Sequence, residues 1–125
     1  MDPITILICA AIGLTAGTLG GLLGVGGGIV MVPAFIRFLG LPANQAIATS
    51  ITVIVFIALS AAAKHHQQGT TQWKIVALVL VTSVIGAWVG AALTHQVPER
   101  ALRLGFAAFL MIVSIDMAAR AWRLS

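Results

Sequence analysis

Long runs of apolar residues, separated by short polar or glycine-rich segments, make up nearly the whole chain. Roughly 20 helical residues cross a hydrocarbon core. Four runs approach or reach that length: residues 4–23, 45–63, 73–93 and 101–119. The first is followed by a glycine-rich break at residues 24–28 and a short apolar stretch at residues 29–39. The pattern predicts an all-α polytopic membrane protein, a bundle of four helical units whose first unit is broken into a long helix and a half-helix.

Composition supports a lipid environment. Hydrophobic side chains make up 60% of the chain and charged ones only 8%, whereas an ordinary soluble domain carries about 25% charged residues. No segment is long or polar enough to form a separate water-soluble domain. We therefore expect one transmembrane domain over residues 1–125, with the lipid bilayer as its main partner.

Seven Lys and Arg residues against three acidic ones give a net charge of +4. The cations lie near the ends of the apolar runs, where they reach lipid headgroups, so the charge does not indicate nucleic-acid binding. One side of the membrane would hold four cations and the other three: Lys64, Lys74, Arg120 and Arg123 against Arg37, Arg100 and Arg103. Such a balance barely commits the chain to one orientation.

The first unit allows two topologies. It either spans the membrane fully or folds back as a hairpin, and the division of cations is the same in both. The hairpin leaves three full crossings, an odd number, so that the two chain ends would lie on opposite sides.

Glycines are concentrated in the first unit, where eight of the thirteen fall between Gly13 and Gly28. Small residues at a spacing of four allow close helix packing in lipid. That role is predicted for Gly13, Gly17 and Gly20, and also for Gly86 and Gly90.

Three consecutive glycines, Gly26 to Gly28, do not fit a packing pattern. Unwound backbone at membrane depth persists only where protein or a water-filled cavity satisfies its polar groups. The half-helix that follows would present unpaired N–H groups and the positive end of its dipole. The break is therefore predicted to be an anion site, an arrangement that transporters use near the midplane.

Two stretches carry a family resemblance: residues 20–33 (GGLLGVGGGIVMVP) and residues 46–50 (AIATS). In their order and spacing they resemble the signature of the TauE/SafE family of sulfite and organosulfonate exporters. The resemblance implies a carrier, in a bacterial-type inner membrane, for small sulfur-containing anions such as sulfite, sulfonates or sulfoacetate.

Members of that family usually have two related halves, and this chain has the length of one. The resemblance therefore implies a homodimer with the site at its interface. Balanced loop charges and an odd number of crossings favour an inverted, dual-topology dimer, with a parallel dimer as the second choice.

The predicted substrate-binding residues are Gly24, Gly26, Gly27, Gly28, Thr49 and Ser50. The glycines would offer backbone N–H groups and the other two hydroxyl donors. Local bonding to a carbonyl one turn back is the alternative for both hydroxyls, and the resemblance favours the functional role. Asn44 and Gln45 are candidates for the entrance, with helix capping as their alternative.

Other polar residues predict no catalytic, metal or cofactor site. Cys9 has no second cysteine and acts as a small hydrophobe, while His65 and His66 fall in a polar turn and are predicted to be solvated. Asp116 is expected to pair with Arg120 four residues on. A nucleophile with a base is missing at span depth, so an enzyme is not expected.

Two alternatives to a carrier stay open: a passive anion channel, and an assembly subunit of a larger membrane complex. The pattern does not specify the anion, the direction of transport or the coupling ion. It also does not specify whether another subunit is required.

Overall fold

In the computed structural model, residues 1–124 are described, and they form five helices and no strand. The helices are α1 (Pro3–Leu23), α2 (Gly28–Phe38), α3 (Ala43–Gln67), α4 (Trp73–Thr94) and α5 (Glu99–Leu124). Four of them, all but α2, are long and apolar enough to cross a membrane. The prediction of an all-helical membrane fold with a broken first unit is confirmed.

The polar segment after the second predicted run is helical. α3 begins at Ala43 and continues through Lys64 to Gln67, so the prediction that His65 and His66 fall in a polar turn is wrong. Lys and Gln are good helix formers, and the first glycine comes only at Gly69, where φ is 70°. His65 and His66 therefore have fixed positions in the last turn of a helix.

The first unit is a hairpin. Met1 and Thr5, at the start of α1, line the same cavity as Leu39 and Leu41, which follow α2. The start of α1 and the end of α2 therefore lie at one end of the bundle, together with the start of α3. Of the two topologies that the sequence allows, the structure has the one in which the chain folds back.

The core lies where α2 packs between α1 and α3. Its buried residues come from these three helices: Ile12, Ala16, Met31, Val32, Phe35 and Ala46. Ala16 and Ala46 are completely buried (both 0% exposed), because their small side chains let the helices approach closely. This packing holds the break against its neighbours.

Neither α4 nor α5 buries a residue among those described. A Cβ built on Gly86 or Gly90 of α4 would meet nothing within 4 Å, and the same holds for Gly13 and Gly17 of α1. These four glycines were predicted to allow close packing of helices, and within one chain that prediction is wrong. Only Gly20 packs as predicted, against the backbone of the break.

Candidate functional site at the glycine break

The break is a backbone reversal made by glycines in the left-handed region. Gly24 ends α1 with φ 70°, and its N–H donates to the Gly20 carbonyl over 2.9 Å. Gly26 and Gly27 follow with φ 67° and 77°. L-residues with a side chain adopt such values at a cost of roughly 1–2 kcal/mol each, so glycine is the residue that makes this reversal possible.

Close contact with both neighbouring helices also requires glycine here. A Cβ on Gly27 would lie 2.5 Å from the Ala16 carbonyl oxygen of α1. A Cβ on Gly26 would lie 2.9 Å from Cγ2 of Ile54 in α3. Since Ile54 is near the middle of α3 (Ala43–Gln67), the break lies at about half the depth of a helix that can span the membrane.

Hydrogen bonding in the break is incomplete on the donor side. The Gly27 carbonyl accepts from the amides of Val30 and Met31, at 3.1 and 3.0 Å. Within the described chain, no such bond is made by the amides of Gly26, Gly27 or Gly28. The start of α2 therefore combines unpaired N–H groups with the positive end of a helix dipole.

A cavity of about 400 Å³ opens beside the break, and we call it the break cavity. It runs along α3 from the level of Ile54 to His65. Its lining consists of Gly20, Gly24, Val25, Gly26, Ile54, Ile57, Ala58, Ala61, Ala62 and His65. Gly24 and Gly26 thus border open space, whereas Gly27 is buried and a Cβ on Gly28 would lie 3.1 Å from Cδ1 of Ile54.

His65 is the polar side chain of the break cavity, a role that the sequence did not indicate. Its Nε2 lies 3.2 Å from the carbonyl oxygen of Gly21, in the last turn of α1. A carbonyl oxygen only accepts, so Nε2 carries the proton in this hydrogen bond. The ring joins the end of α3 to a carbonyl that α1 leaves without a helical partner.

The two predicted hydroxyl donors lie outside the break cavity. Ser50 is 2% exposed, and its Oγ donates to the Ile47 carbonyl over 2.8 Å, which is the local bonding that the sequence left as the alternative. Thr49 lines a different cavity of about 520 Å³, together with Thr5 and Cys9. Among the described residues, neither hydroxyl therefore lines the break cavity or forms a hydrogen bond with the glycines.

Asn44 and Gln45 lie in a third cavity, of about 310 Å³, which also contains His95 and Glu99. The Asn44 Oδ1 accepts from the Gln45 amide over 2.9 Å, so Asn44 bonds within the first turn of α3. This cavity is at the starting end of α3, far along the helix from the break. The pair shares no cavity with the glycines.

The first amide of α3 forms a hydrogen bond with a side chain of α5. Glu99 Oε1 accepts from the Ala43 amide over 3.2 Å and from Arg103 Nε over 3.1 Å. A carboxylate at a helix start satisfies a free N–H and complements the dipole. At the other end of α5 the predicted pair is confirmed, with Arg120 Nε 2.8 Å from Asp116 Oδ2.

Comparison with known proteins identifies the family. The family model for the sulfite exporter TauE/SafE matches residues 3–124. The probable membrane transporter YunE of Bacillus subtilis is 30% identical over 122 residues, which cover 92% of this chain and 45% of the relative. A probable membrane transporter of Haemophilus influenzae is 36% identical over 97 residues, 68% of this chain and 37% of the relative.

A plant protein is also similar. The sulfite exporter TauE/SafE family protein 3 of Arabidopsis thaliana is 29% identical over 105 residues, 84% of this chain and 21% of the relative. No solved structure matches. The chain spans less than half the length of these relatives. Since the family model covers nearly all of it, the chain belongs to the sulfite exporter TauE/SafE family of multi-pass membrane proteins.

Proposed function

We propose that this chain transports small sulfur-containing anions, such as sulfite or organosulfonates, across a bacterial-type inner membrane. Family membership supports transport, because relatives bear the names membrane transporter and sulfite exporter. The proposal that the transported substrate is an anion rests on the chemistry of the break. Amides and a helix dipole there favour negative charge.

One observation carries the assignment of the site. The amides of Gly26 to Gly28 have no hydrogen-bond partner among the described residues, at the start of α2 and beside the break cavity. A buried amide without a partner is costly. A bound oxyanion would supply acceptors for these groups, and its charge would be stabilised by the helix start.

The anion would enter through the break cavity and contact Gly24 and Gly26 first. Both border the cavity, and Gly27 and Gly28 follow in the chain without lining it. Thr49 and Ser50 would contribute after a rearrangement or from a second copy of the chain, since in this arrangement they lie elsewhere.

A homodimer is the assembly that we propose. The exposed surfaces of α4 and α5, which bury no described residue, leave room for a second copy. The four-to-three division of cations and the hairpin topology favour an inverted pair over a parallel one. Subunit counting in single liposomes, combined with labelling from each side by a membrane-impermeant reagent, tests both points.

A matched pair of alanines tests the site without disturbing the glycines. Ala58 lines the break cavity and Ala63 does not, although both are exposed alanines of α3. Ala58→Leu should fill the cavity and reduce sulfite or alkylsulfonate exchange in proteoliposomes at least tenfold, which corresponds to about 1.4 kcal/mol. Ala63→Leu should leave exchange near that of the wild type.

The same preparation distinguishes the alternatives. Saturable exchange supports the carrier, whereas unitary currents would indicate a channel. If wild-type protein in liposomes shows no flux at all, the remaining alternative is an assembly subunit of a larger complex. Equal exchange by the Ala58→Leu and Ala63→Leu variants would remove the break cavity from the transport path.

A further inference from the structure

His65 differs in chemistry from the other described residues that line the break cavity, which are glycine or apolar. Among the described residues that line the cavity, His65 is the only one with an ionisable side chain. Its backbone is fixed at the end of α3, because its carbonyl accepts from the hydroxyl and the amide of Thr70, at 3.1 and 3.3 Å. The ring nitrogen Nε2 is directed at Gly21.

The hydrogen bond to Gly21 determines what a proton would do. With Nε2–H donating to that carbonyl, the neutral ring has a lone pair on Nδ1, and a lone pair repels an anion. Protonation converts Nδ1 into a second donor and gives the ring a positive charge. The Nε2–H bond to Gly21 is retained in both states.

Two helix ends meet beside the His65 side chain. His65 lies in the last turn of α3 and beside the last turn of α1. Both helices direct carbonyl groups and the negative ends of their dipoles to this region. Histidine is the type of side chain whose charge can change within the physiological range of pH.

We propose that His65 is the proton-linked anion-recognition residue of the break cavity. The protonated ring attracts the anion and donates to it from Nδ1, and the anion then moves along the cavity to the glycine amides. The neutral ring disfavours entry. This inference rests on the proposed function, because it concerns the same anion and the same cavity.

The helices around His65 carry other charged residues. On α3 they are Lys64 and His66, and Lys74 begins α4 beyond the turn. The last turns of α1 and the break carry no charge. At this end of α5, Asp116 and Arg120 form an ion pair, and Arg123 adds a positive charge in the last turn.

His66 provides the control. Its ring packs nearly perpendicular to that of Trp73, with centroids 5.3 Å apart and an interplanar angle of 79°, and it does not line the break cavity. A proton on His66 adds the same charge to the same helical turn. Long-range electrostatics alone would therefore make the two histidines equivalent, whereas direct contact with the anion would not.

The experiment measures methanesulfonate binding and exchange by the full chain in lipid, because this anion keeps one negative charge throughout the range tested. Wild-type affinity should be about three- to tenfold higher at about pH 5.5 than at about pH 8, as expected for one partly exposed charged hydrogen bond. His65→Gln keeps an N–H donor for Gly21 but does not titrate, so it should lose this pH dependence. His66→Gln should retain it.

Wild-type protein alone gives a second measurement if a variant does not fold. Titration calorimetry near neutral pH, in two buffers with different ionisation heats, should show net proton uptake when methanesulfonate binds. Binding without proton uptake, or an unchanged pH profile in His65→Gln, would overturn the role of His65 and leave the anion site intact. If wild-type protein binds neither methanesulfonate nor sulfite at any pH, the proposed function fails as well.

Discussion

The first three helices and the last two differ in how they use small residues. In α1–α3, glycines and alanines bring backbones into contact: Gly20 lies against the break, and Ala16 and Ala46 are fully buried. In α4 the glycines face open space, although their spacing of four residues is the same. One half of the chain is a packed unit, and the other presents its apolar surface to lipid or to another protein.

This difference shows that glycine spacing alone does not specify packing. Gly17 and Gly20 belong to the same glycine-rich helix, yet only Gly20 meets another backbone. The difference comes from the reversal after α1, which folds α2 back against the face that carries Gly20. Substitutions should therefore have large effects near the reversal and small ones on α4.

The largest effect is expected at Gly27. Alanine there would need φ 77° and would place its Cβ 2.5 Å from the backbone carbonyl of Ala16, which cannot rotate away. We expect Gly27→Ala to destabilise the protein by about 3 kcal/mol or more and to abolish transport. Thermal unfolding in detergent and exchange in liposomes measure the two consequences.

Gly24→Ala is the matched control, because Gly24 has φ 70° but open space around its Cβ position. Gly24→Ala should lower the free energy of unfolding by about 1–2 kcal/mol, which is the penalty for a side chain in the left-handed conformation. Equal losses for the two variants would show that backbone conformation, and not contact with Ala16, makes Gly27 necessary. A Gly27→Ala protein that is inserted and stable but inactive would show that the added methyl group blocks the anion site without disrupting the fold.

Patterns within the chain were sufficient to predict the helices and the break. Runs of apolar residues identify helices that span lipid, and consecutive glycines at residues 26–28 mark a place where no regular helix continues. The break was predicted at residues 24–28, and α2 begins at Gly28. The hairpin could not be chosen from the sequence, because its polar and charged residues are distributed in the same way in both topologies.

Contacts between distant helices could not be predicted. His65 was expected to be solvated, since two adjacent histidines after an apolar run give no indication that a carbonyl 44 residues earlier is near. The bond from the Ala43 amide to Glu99 spans 56 residues and has no local pattern either. Thr49 and Ser50 were assigned through the family signature, which indicates sequence similarity but not the direction of each side chain.

A smaller difference in stability is expected between alanine substitutions at Gly20 and at Gly86, one glycine from each region. A Cβ on Gly20 would lie 2.8 Å from the Gly27 nitrogen, so Gly20→Ala must push α1 and the break apart, at about 1–3 kcal/mol. Gly86→Ala meets nothing and should stabilise α4 by up to about 1 kcal/mol. Detergent melts of both variants test the contrast. If Gly86→Ala separates a dimer while the monomer stays folded, α4 packs against the second copy.

The smallest effect concerns the two ion pairs of α5. Both join residues four apart, but Glu99 also accepts from the Ala43 amide of α3, whereas Asp116 bonds only to Arg120 among residues 1–124. Because both pairs are solvent-exposed, each contributes little to stability. Glu99→Gln should nevertheless speed hydrogen exchange at the Ala43 amide and leave the melting temperature almost unchanged. Asp116→Asn should change neither quantity. Faster exchange at Ala43 in both variants would mean that α5 as a whole, and not the Glu99 carboxylate, holds the start of α3.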